Sequence, residues 1–292
     1  MRPRLVIVEV VGGLGNQMFQ VAAGWSVARR SGAELKLDLR RFDRPDTRAP
    51  GLAAWNLDAA TASRAEIRAV RRDGIPRRVL RRASRSLGRP FFDVYIEPHF
   101  HFDPRFDELE APIYLHGHFQ SPRYFAGHET EVGRLFTLRT PLSAEAEVQR
   151  RELESLPCPV ALHVRRGDYA GHALHGTLDR DYYRRAIEIV DRETGSTATY
   201  VVFSDDPAGA RELLDGLERL TFADGSRAAH EDLFLMSLCR HTIVANSTFS
   251  WWAAWLNQNP EKRIVAPRAW VTPEYMEARS TDDLFPASWT II

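Results

Sequence analysis

The sequence predicts an α/β protein in which helices pack against parallel β-sheets. From residue 159 onward, short apolar runs alternate with segments of helical periodicity, as expected for strands joined by crossover helices. Near the start of the chain, an apolar run, a glycine turn, an amphipathic segment and a second apolar run form a β–turn–α–β unit. With 292 residues, 44 % of them hydrophobic, the chain is long enough for two modest domains.

The first unit begins with a buried strand over Leu5–Val10, which runs into the glycine turn of residues 11–16. A helix is predicted over Gln17–Arg30, because apolar side chains recur on one face. Asn16 is the expected N-cap of this helix and Gly32 its C-terminal stop. The further elements predicted in this half are strands over Glu34–Leu39, Leu52–Leu57 and Ile113–His116 and a helix over Arg64–Arg72.

The second half has the more regular pattern. Residues 139–157 are polar and include two prolines, which predicts an interdomain helix or a linker. We therefore expect an N-terminal domain over residues 1–150 and a C-terminal domain over 151–292. The strands predicted after the linker are 159–164, 199–204, 218–222, 241–245 and 262–266, and the helices are 181–192, 207–216, 231–240 and 248–257.

The charge and the cysteine content of the chain indicate which kinds of binding partner and which cellular compartment to expect. The 39 Lys and Arg residues balance 39 Asp and Glu residues, so the total charge does not indicate a nucleic-acid partner. Cys158 and Cys239 lie in apolar surroundings and are predicted to be buried thiols. Without a disulfide framework, a signal peptide or an apolar run long enough to span a membrane, a cytoplasmic protein is expected.

The segment Arg71–Arg89 contains eight arginines in 19 residues. A basic segment of this kind can lie on the inner face of a membrane, as a peripheral contact, or meet an anionic acceptor. The alternative is a solvated surface segment without a partner.

Three polar clusters each follow a predicted parallel strand. They are His163, Arg165, Arg166 and Asp168 after the first strand of the second half, Asp205 and Asp206 after the next, and Asn246–Ser250 after the strand over 241–245. Ligands of open parallel sheets bind at the carboxyl ends of the strands, so the three clusters are expected to converge on one crevice. Arginine suits a diphosphate, because its planar fork makes paired hydrogen bonds. The alternative for the arginine pair is a solvated face.

The second and third clusters also contain helix starts. The free N–H groups after Asn246 favour an anion, and the hydroxyls of Ser247 and Thr248 can add donors; ordinary N-capping explains the same residues. Asp206 followed by proline is a typical N-cap, whereas Asp205 can bind ligand or support the arginine pair.

Two further motifs have more than one interpretation. Asp179 and Asp181 form a D-x-D motif, but they lead directly into a predicted helix, so we expect capping and no metal site. Glu231 and Asp232 begin another helix, where they can favour the dipole or accept hydrogen bonds from guanine.

The glycine turn does not match the dinucleotide-binding pattern, because Met18 stands where a third glycine is needed. Its backbone N–H groups and the Asn16 amide can nevertheless face a phosphate. The many aromatic rings of Phe91–Tyr124 can line a sugar site or form core, and the sequence does not decide between the two.

Several of these motifs resemble those of the bacterial α-1,2-fucosyltransferases of glycosyltransferase family 11. The matching segments cover most of the chain in the expected order. They are Gly12-Gly-Leu-Gly-Asn-Gln-Met-Phe-Gln20, Glu97–Pro104, Leu115–Phe125, His163–Asp168, Phe203–Asp206 and Asn246–Trp252. The Arg71–Arg89 segment has no counterpart, and His118 stands where an aromatic ring is common.

The resemblance implies a GT-B-like fold of two Rossmann-like domains facing across a cleft. It implies transfer of fucose from GDP-β-L-fucose, with inversion and without a metal or other cofactor, to the 2-hydroxyl of a terminal β-galactoside. The acceptor is expected to be an oligosaccharide or a lipid-linked glycan of surface polysaccharide or O-antigen synthesis. A fucosyltransferase of another linkage or acceptor and a non-catalytic GDP-sugar-binding protein remain the alternatives.

The resemblance also implies roles for individual residues. Catalytic roles fall to Arg165 at the β-phosphate and to Asn16 at the fucosyl-bond oxygen. Asp168 is the leading candidate for the base by its position in the sequence, not by the resemblance, and the alternative is that it locks the arginine pair. The remaining expected donor contacts are Gly13, Gly15, His163, Arg166, Asp205, Asp232, Ser247, Thr248 and Phe249, with His163 and Asp232 at guanine. The expected acceptor contacts are His118, Gln120 and Tyr169.

Overall fold

The computed structural model describes residues 4–43, 50–71, 94–167, 176–195, 197–225, 227–272 and 280–292. The chain divides into two compact units, Met1–Thr137 and Leu138–Ile292. The division therefore comes earlier than the predicted boundary at 150/151. That boundary would cut the helix Ala144–Ser155, which belongs entirely to the second unit.

The first unit contains a five-stranded parallel sheet in the order β3-β2-β1-β5-β4. Its strands are β1 (Leu5–Glu9), β2 (Glu34–Asp38), β3 (Ala60–Thr61), β4 (Val94–Ile96) and β5 (Ile113–His116), and its helices are α1 (Leu14–Ser31), α2 (Arg64–Arg71) and α3 (Glu129–Leu135). Strand β1 lies at the centre, which explains why its apolar run is nearly continuous rather than alternating.

Helix α1 begins earlier than predicted. Its N-cap is Gly13, and Asn16 lies in its first turn, so the expectation that Asn16 caps the helix was wrong. A glycine cap leaves no side-chain signal in the sequence, whereas asparagine is a strong cap residue. The predicted stop is confirmed, since Gly32 adopts the left-handed conformation with φ 57° and its N–H bonds to the last turn.

Two other expectations for the first unit are settled by the structure. The segment predicted as a strand over Leu52–Leu57 instead contains a 3₁₀ turn, Gly51–Ala54. Within the described part of the aromatic segment, five rings form core: they pack edge-on or stacked on one another, and none of the five is more than 5 % exposed. These rings are Tyr95, Phe102, Phe106, Phe119 and Tyr124. Arg71 ends α2, and the rest of the Arg71–Arg89 segment lies outside the described residues.

The second unit contains a six-stranded parallel sheet in the order β11-β10-β9-β6-β7-β8. Its strands are β6 (Pro159–Val164), β7 (Thr199–Ser204), β8 (Leu220–Phe222), β9 (His241–Ile243), β10 (Ile264–Ala266) and β11 (Thr290–Ile291). Its helices are α4 (Ala144–Ser155), α5 (Arg180–Thr194), α6 (Pro207–Leu213), α7 (Ala229–Leu238) and α8 (Thr248–Leu256). The predicted alternation of strands and helices is confirmed in each case, with ends that differ by a few residues.

Both cysteines are buried free thiols, as predicted. Among the helices within the described ranges, none is long and apolar enough to cross a membrane.

Candidate active site

The three polar clusters of the second unit follow adjacent strands. Strand β6 pairs with β7 on one side and with β9 on the other, and all three run in the same direction. Their carboxyl ends therefore meet at one edge of the sheet, as the sequence predicted. This edge is the usual ligand site of an open parallel sheet.

Asp205 supports the arginine pair. Its Oδ2 lies 3.2 Å from Nη1 of Arg165, and its Oδ1 accepts a hydrogen bond of 3.0 Å from the backbone N–H of Arg166. A Cβ atom at Gly167 would lie 2.5 Å from the same carboxylate, so a larger residue there would have to displace the Asp205 side chain. The Arg165 side chain is 16 % exposed, and the ion pair holds its guanidinium in one orientation at the edge of the sheet.

His163 ends the same strand as a neutral, buried imidazole. It is 3 % exposed, and burial, assisted by the positive charge of Arg165, lowers its pKa to about 3. No described residue hydrogen-bonds its buried Nδ1, and the ring of Phe249 lies 5.5 Å away, centroid to centroid. An unsatisfied buried nitrogen is costly, and a ligand that supplies a hydrogen bond would account for it.

The start of α8 provides hydroxyl and amide groups beside these side chains. Ser247 is the N-cap, and its Oγ accepts a hydrogen bond of 3.3 Å from the N–H of Phe249, which confirms the capping role. Asn246 donates from Nδ2 to the carbonyl of Gly176 at 2.7 Å. The Ser247 hydroxyl keeps its proton for another acceptor, so capping and anion binding are compatible.

Two aspartates of the predicted motifs are helix caps. Asp206 accepts from the N–H of Gly209 at 3.0 Å, and Asp179 accepts from the N–H of Tyr182 at 2.9 Å. The first aspartate of the D-x-D motif is thus used to begin α5, as expected.

The two acids at the start of α7 have different surroundings. Glu231 accepts from the N–H of Ser143 at 2.6 Å, so it joins two segments of the second unit. Asp232 accepts from Nε of Arg227 at 3.0 Å. Burial raises the pKa of Asp232 to about 6 against the lowering effect of Arg227, and the charges of Glu231 and Asp224 add to the rise.

The glycine turn of the first unit is held by amide side chains that the sequence reasoning did not identify. Gln17 donates from Nε2 to the carbonyl of Gly12 at 2.9 Å, and Gln20 accepts from the N–H of Val11 at 2.9 Å. Both glutamines are almost fully buried. In the sequence, the two glutamines on an otherwise apolar helix face were the signal from which this role could have been predicted.

Asn16 and Gln120, predicted to contact donor and acceptor, contact each other. The amide Nε2 of Gln120 donates to Oδ1 of Asn16 at 3.0 Å. His118, the other described acceptor candidate, has an exposed side chain. Asp168 and Tyr169 lie outside the described residues, so their predicted roles stay predictions.

Glu97 supports the loop that carries these residues, and the sequence reasoning assigned it no role. Its carboxylate accepts from the N–H groups of His118 and Phe119 at 2.7 and 3.1 Å. Phe119 has a φ of 53°, an unusual conformation for a residue with a side chain, and these bonds help to hold it. Burial raises the pKa of Glu97 to about 7.

A cavity of about 520 Å³ lies at the opposite edge of the second sheet, near the amino ends of β6, β9 and β10. Its arginines are paired with its glutamates: Arg240 with Glu261 and Arg263 with Glu193, each at 2.5 Å. The converging polar residues at the carboxyl edge, rather than this volume, therefore define the candidate site.

The chain is similar to known glycosyltransferases in sequence and in fold. Residues 103–292 match the sequence profile described as glycosyl transferase family 11. The O-antigen biosynthesis glycosyltransferase WbnK of Escherichia coli is 31 % identical, over 89 % of this chain and 92 % of that protein. An α-1,2-colitosyltransferase of Escherichia coli is 26 % identical over 99 % of both. The fucosyltransferase NodZ from Bradyrhizobium has a similar fold, with a TM-score of 0.52 and 16 % identity over 87 % of this chain and 92 % of that one.

Proposed function

Because this chain belongs to glycosyl transferase family 11 and has the two α/β units of a GT-B fold, we propose a specific fucosyl transfer. In this reaction L-fucose passes from GDP-β-L-fucose, with inversion, to the 2-hydroxyl of a terminal β-galactoside in a surface glycan such as an O-antigen. The observation that carries the proposal is the ion pair of Arg165 with Asp205, next to the neutral imidazole of His163.

The nucleotide would bind at the carboxyl edge of the second sheet. Asp232 would accept from N1–H and the 2-amino group of guanine, a pair of donors that adenine does not present. His163 would use its unsatisfied nitrogen on the same nucleoside. Arg165 and the first turn of α8 would hold the diphosphate.

The chemical step would break the bond between C1 of fucose and the β-phosphate oxygen, with positive charge on the sugar and negative charge on the departing GDP. Donors fixed in advance around that oxygen stabilise this state. We assign this role to Arg165 and to the first turn of α8, and the contact of the Asn16 amide with the donor stays a prediction. These groups replace a metal in the proposed mechanism.

The acceptor hydroxyl must lose its proton as the new bond forms. We propose Asp168 as the base that receives it, by its position two residues after Arg166 in the sequence. Cytoplasmic location and contact of Arg71–Arg89 with a membrane surface also remain predictions.

Similarity to the α-1,2-colitosyltransferase over the whole chain favours colitosyl transfer as the second candidate function. Colitose lacks the 3-hydroxyl of fucose. A site that hydrogen-bonds this hydroxyl would strongly prefer GDP-fucose, whereas a site that packs against C3 would not. The ratio of kcat/KM for the two donors therefore separates the two functions.

The test of the proposed function is incubation of the purified protein with GDP-fucose and lactose or N-acetyllactosamine, with and without EDTA, followed by linkage analysis of the product. We expect an α-1,2-fucosylated product in equal amount under both conditions. Loss of product with EDTA would contradict metal independence, and a different linkage would contradict the acceptor position. No affinity for GDP would contradict the nucleotide site itself.

The affinity for GDP is expected to fall as the pH drops through about 6. Guanine binds the ionised carboxylate of Asp232, whose pKa of about 6 means that it gains a proton in this range. His163, with a pKa of about 3, stays neutral throughout. The dissociation constant, measured by calorimetry, should rise about tenfold between pH 7 and pH 5 from this group.

The matched control is Asp232→Asn, which keeps the shape but does not titrate. Its dissociation constant should retain only the pH dependence that comes from the GDP phosphates. If the variant has the same profile as the wild-type protein, Asp232 does not meet the base.

A further inference from the structure

Asn246 is a buried asparagine whose amide is hydrogen-bonded by described residues at one end only. It is 3 % exposed and lies three residues after strand β9. Its Nδ2 donates to the carbonyl of Gly176 at 2.7 Å, whereas no described residue hydrogen-bonds its buried Oδ1. Capping does not explain this side chain, because the N-cap of α8 is Ser247. A buried acceptor without a partner is costly, so a ligand that donates to Oδ1 would account for it.

Asn257, at the other end of the same helix, is a buried asparagine that serves only the fold. It is 2 % exposed, and its Nδ2 donates to the carbonyl of Cys239 at 2.6 Å. Its Oδ1 accepts from the N–H of Asn259 at 2.8 Å. Both ends of this amide are therefore satisfied within the second unit. Burial at an end of α8 thus does not by itself leave an amide oxygen without a partner, as it is in Asn246.

The backbone on both sides of Asn246 is held by hydrogen bonds. The N–H of Ala245 donates to Oγ of Ser250 at 3.2 Å, and the same hydroxyl donates to the carbonyl of Ser247 at 3.3 Å. The N–H of Ser247 donates to the carbonyl of Ala245 at 2.7 Å. Together with the bond to Gly176, these contacts fix the orientation of the Asn246 amide. Its oxygen is therefore an acceptor that is already in place before a ligand binds.

The position of Oδ1 indicates which chemical group it binds. Asn246 directly precedes Ser247, whose hydroxyl would hold the diphosphate together with the start of α8 in the proposed function. A phosphate oxygen cannot be the partner of Oδ1, because both are acceptors. The groups on either side of the diphosphate in GDP-fucose are sugars, and a sugar hydroxyl can donate a hydrogen bond.

We propose that Asn246 is a specificity-determining residue whose Oδ1 accepts a hydrogen bond from a hydroxyl of the sugar nucleotide, on its ribose or on its fucose. The inference rests on the proposed function, because it assumes that the nucleotide binds at the carboxyl edge of the second sheet. A site built to bond a hydroxyl rejects an analogue that lacks it, since the buried acceptor is then left unpaired. Asn246 would thus restrict the protein to sugar nucleotides that carry this hydroxyl.

The test is a double-mutant cycle between the residue and the ligand. Calorimetry gives the dissociation constants of wild-type protein and of Asn246→Leu for GDP, 2′-deoxy-GDP and 3′-deoxy-GDP, and for GDP-fucose and its analogues without the 2-, 3- or 4-hydroxyl. GDP-colitose is the analogue without the 3-hydroxyl. We expect the loss of one hydroxyl to weaken binding to the wild type at least about fivefold, and binding to Asn246→Leu less than about twofold. Coupling to a ribose hydroxyl or to a fucose hydroxyl supports the proposal and identifies the sugar.

Asn257→Leu is the matched control, because it removes a buried amide of the same helix whose partners both belong to the fold. It should lower the stability of the second unit but leave the discrimination between the ligands as in the wild type. If Asn246→Leu does not fold, Asn246→Asp takes its place. It keeps an oxygen acceptor, so it should still distinguish the same hydroxyl, although its charge weakens the binding of every diphosphate.

The wild-type protein in the same series distinguishes this inference from the proposed function. A wild type that binds neither GDP nor GDP-fucose overturns the nucleotide site and the inference together. Equal affinity of the wild type for all of these ligands, or equal discrimination by the wild type and Asn246→Leu, overturns the inference alone. Coupling of Asn246 to the 2-amino group of guanine, measured with inosine diphosphate, would place Oδ1 at the base and would also overturn it.

Discussion

Arg165→Ala is expected to lower kcat for fucosyl transfer at least about 10²-fold. Arg165 is a charged donor that the fold holds at the carboxyl edge through its 3.2 Å ion pair with Asp205. In the proposed mechanism, negative charge grows on the diphosphate as the fucosyl bond breaks. A donor that is already oriented stabilises this charge without reorganisation, and its loss is felt mainly in the transition state.

The measurement is kcat and KM for GDP-fucose, together with the dissociation constant of GDP, for Arg165→Ala and Arg165→Lys. Lysine keeps the charge but not the planar fork, so it should recover only part of the lost rate. Asp205→Asn keeps the shape of the side chain that contacts Arg165 but removes its charge, and it should lower kcat less than Arg165→Ala does. A folded Arg165→Ala protein that keeps most of its kcat would remove Arg165 from the mechanism.

The fold of the second unit could be predicted because its signals are local. Each of its longer strands is a continuous apolar run, and the helices that follow begin with recognisable caps such as Asp179 and Asp206. The order of strands along the sheet places β6 between β7 and β9, and local patterns alone do not contain this information. The convergence of the three clusters could nevertheless be predicted, because ligands of open parallel sheets bind at the carboxyl ends of the strands.

The first unit was harder to predict because its structure depends on distant contacts. Gln17 accepts from the N–H of Gly51, Gln20 donates to the carbonyl of Gly117 and Gln120 donates to Asn16, and no spacing in the sequence marks such partners. The aromatic segment was equally ambiguous, since the same rings can stack on a sugar or on one another. Phe106 and Tyr124, with ring centroids 4.7 Å apart and both buried, belong to the core.

Trp251→Ala is expected to lower the free energy of unfolding of the second unit by about 4 kcal/mol. Trp251 is fully buried on α8, and its ring lies between those of Trp252 and Trp289, 5.2 and 5.5 Å away. Its Nε1–H donates to the carbonyl of Leu284 at 2.9 Å. The substitution leaves a large cavity and also a buried carbonyl without its donor, and both effects are unfavourable.

Trp255→Ala is the matched control, because Trp255 lies one helical turn further along α8 and stacks on Trp251 but is only partly buried. It should cost less than half as much as Trp251→Ala, since water can fill part of the space that the ring leaves. Urea denaturation followed by circular dichroism measures both variants, with a separate transition fitted for each unit. Equal losses would mean that ring stacking, rather than burial and the bond to Leu284, stabilises the end of the chain. The comparison also bears on function, because the helix that Trp251 anchors begins with Ser247, whose hydroxyl is proposed to face the diphosphate.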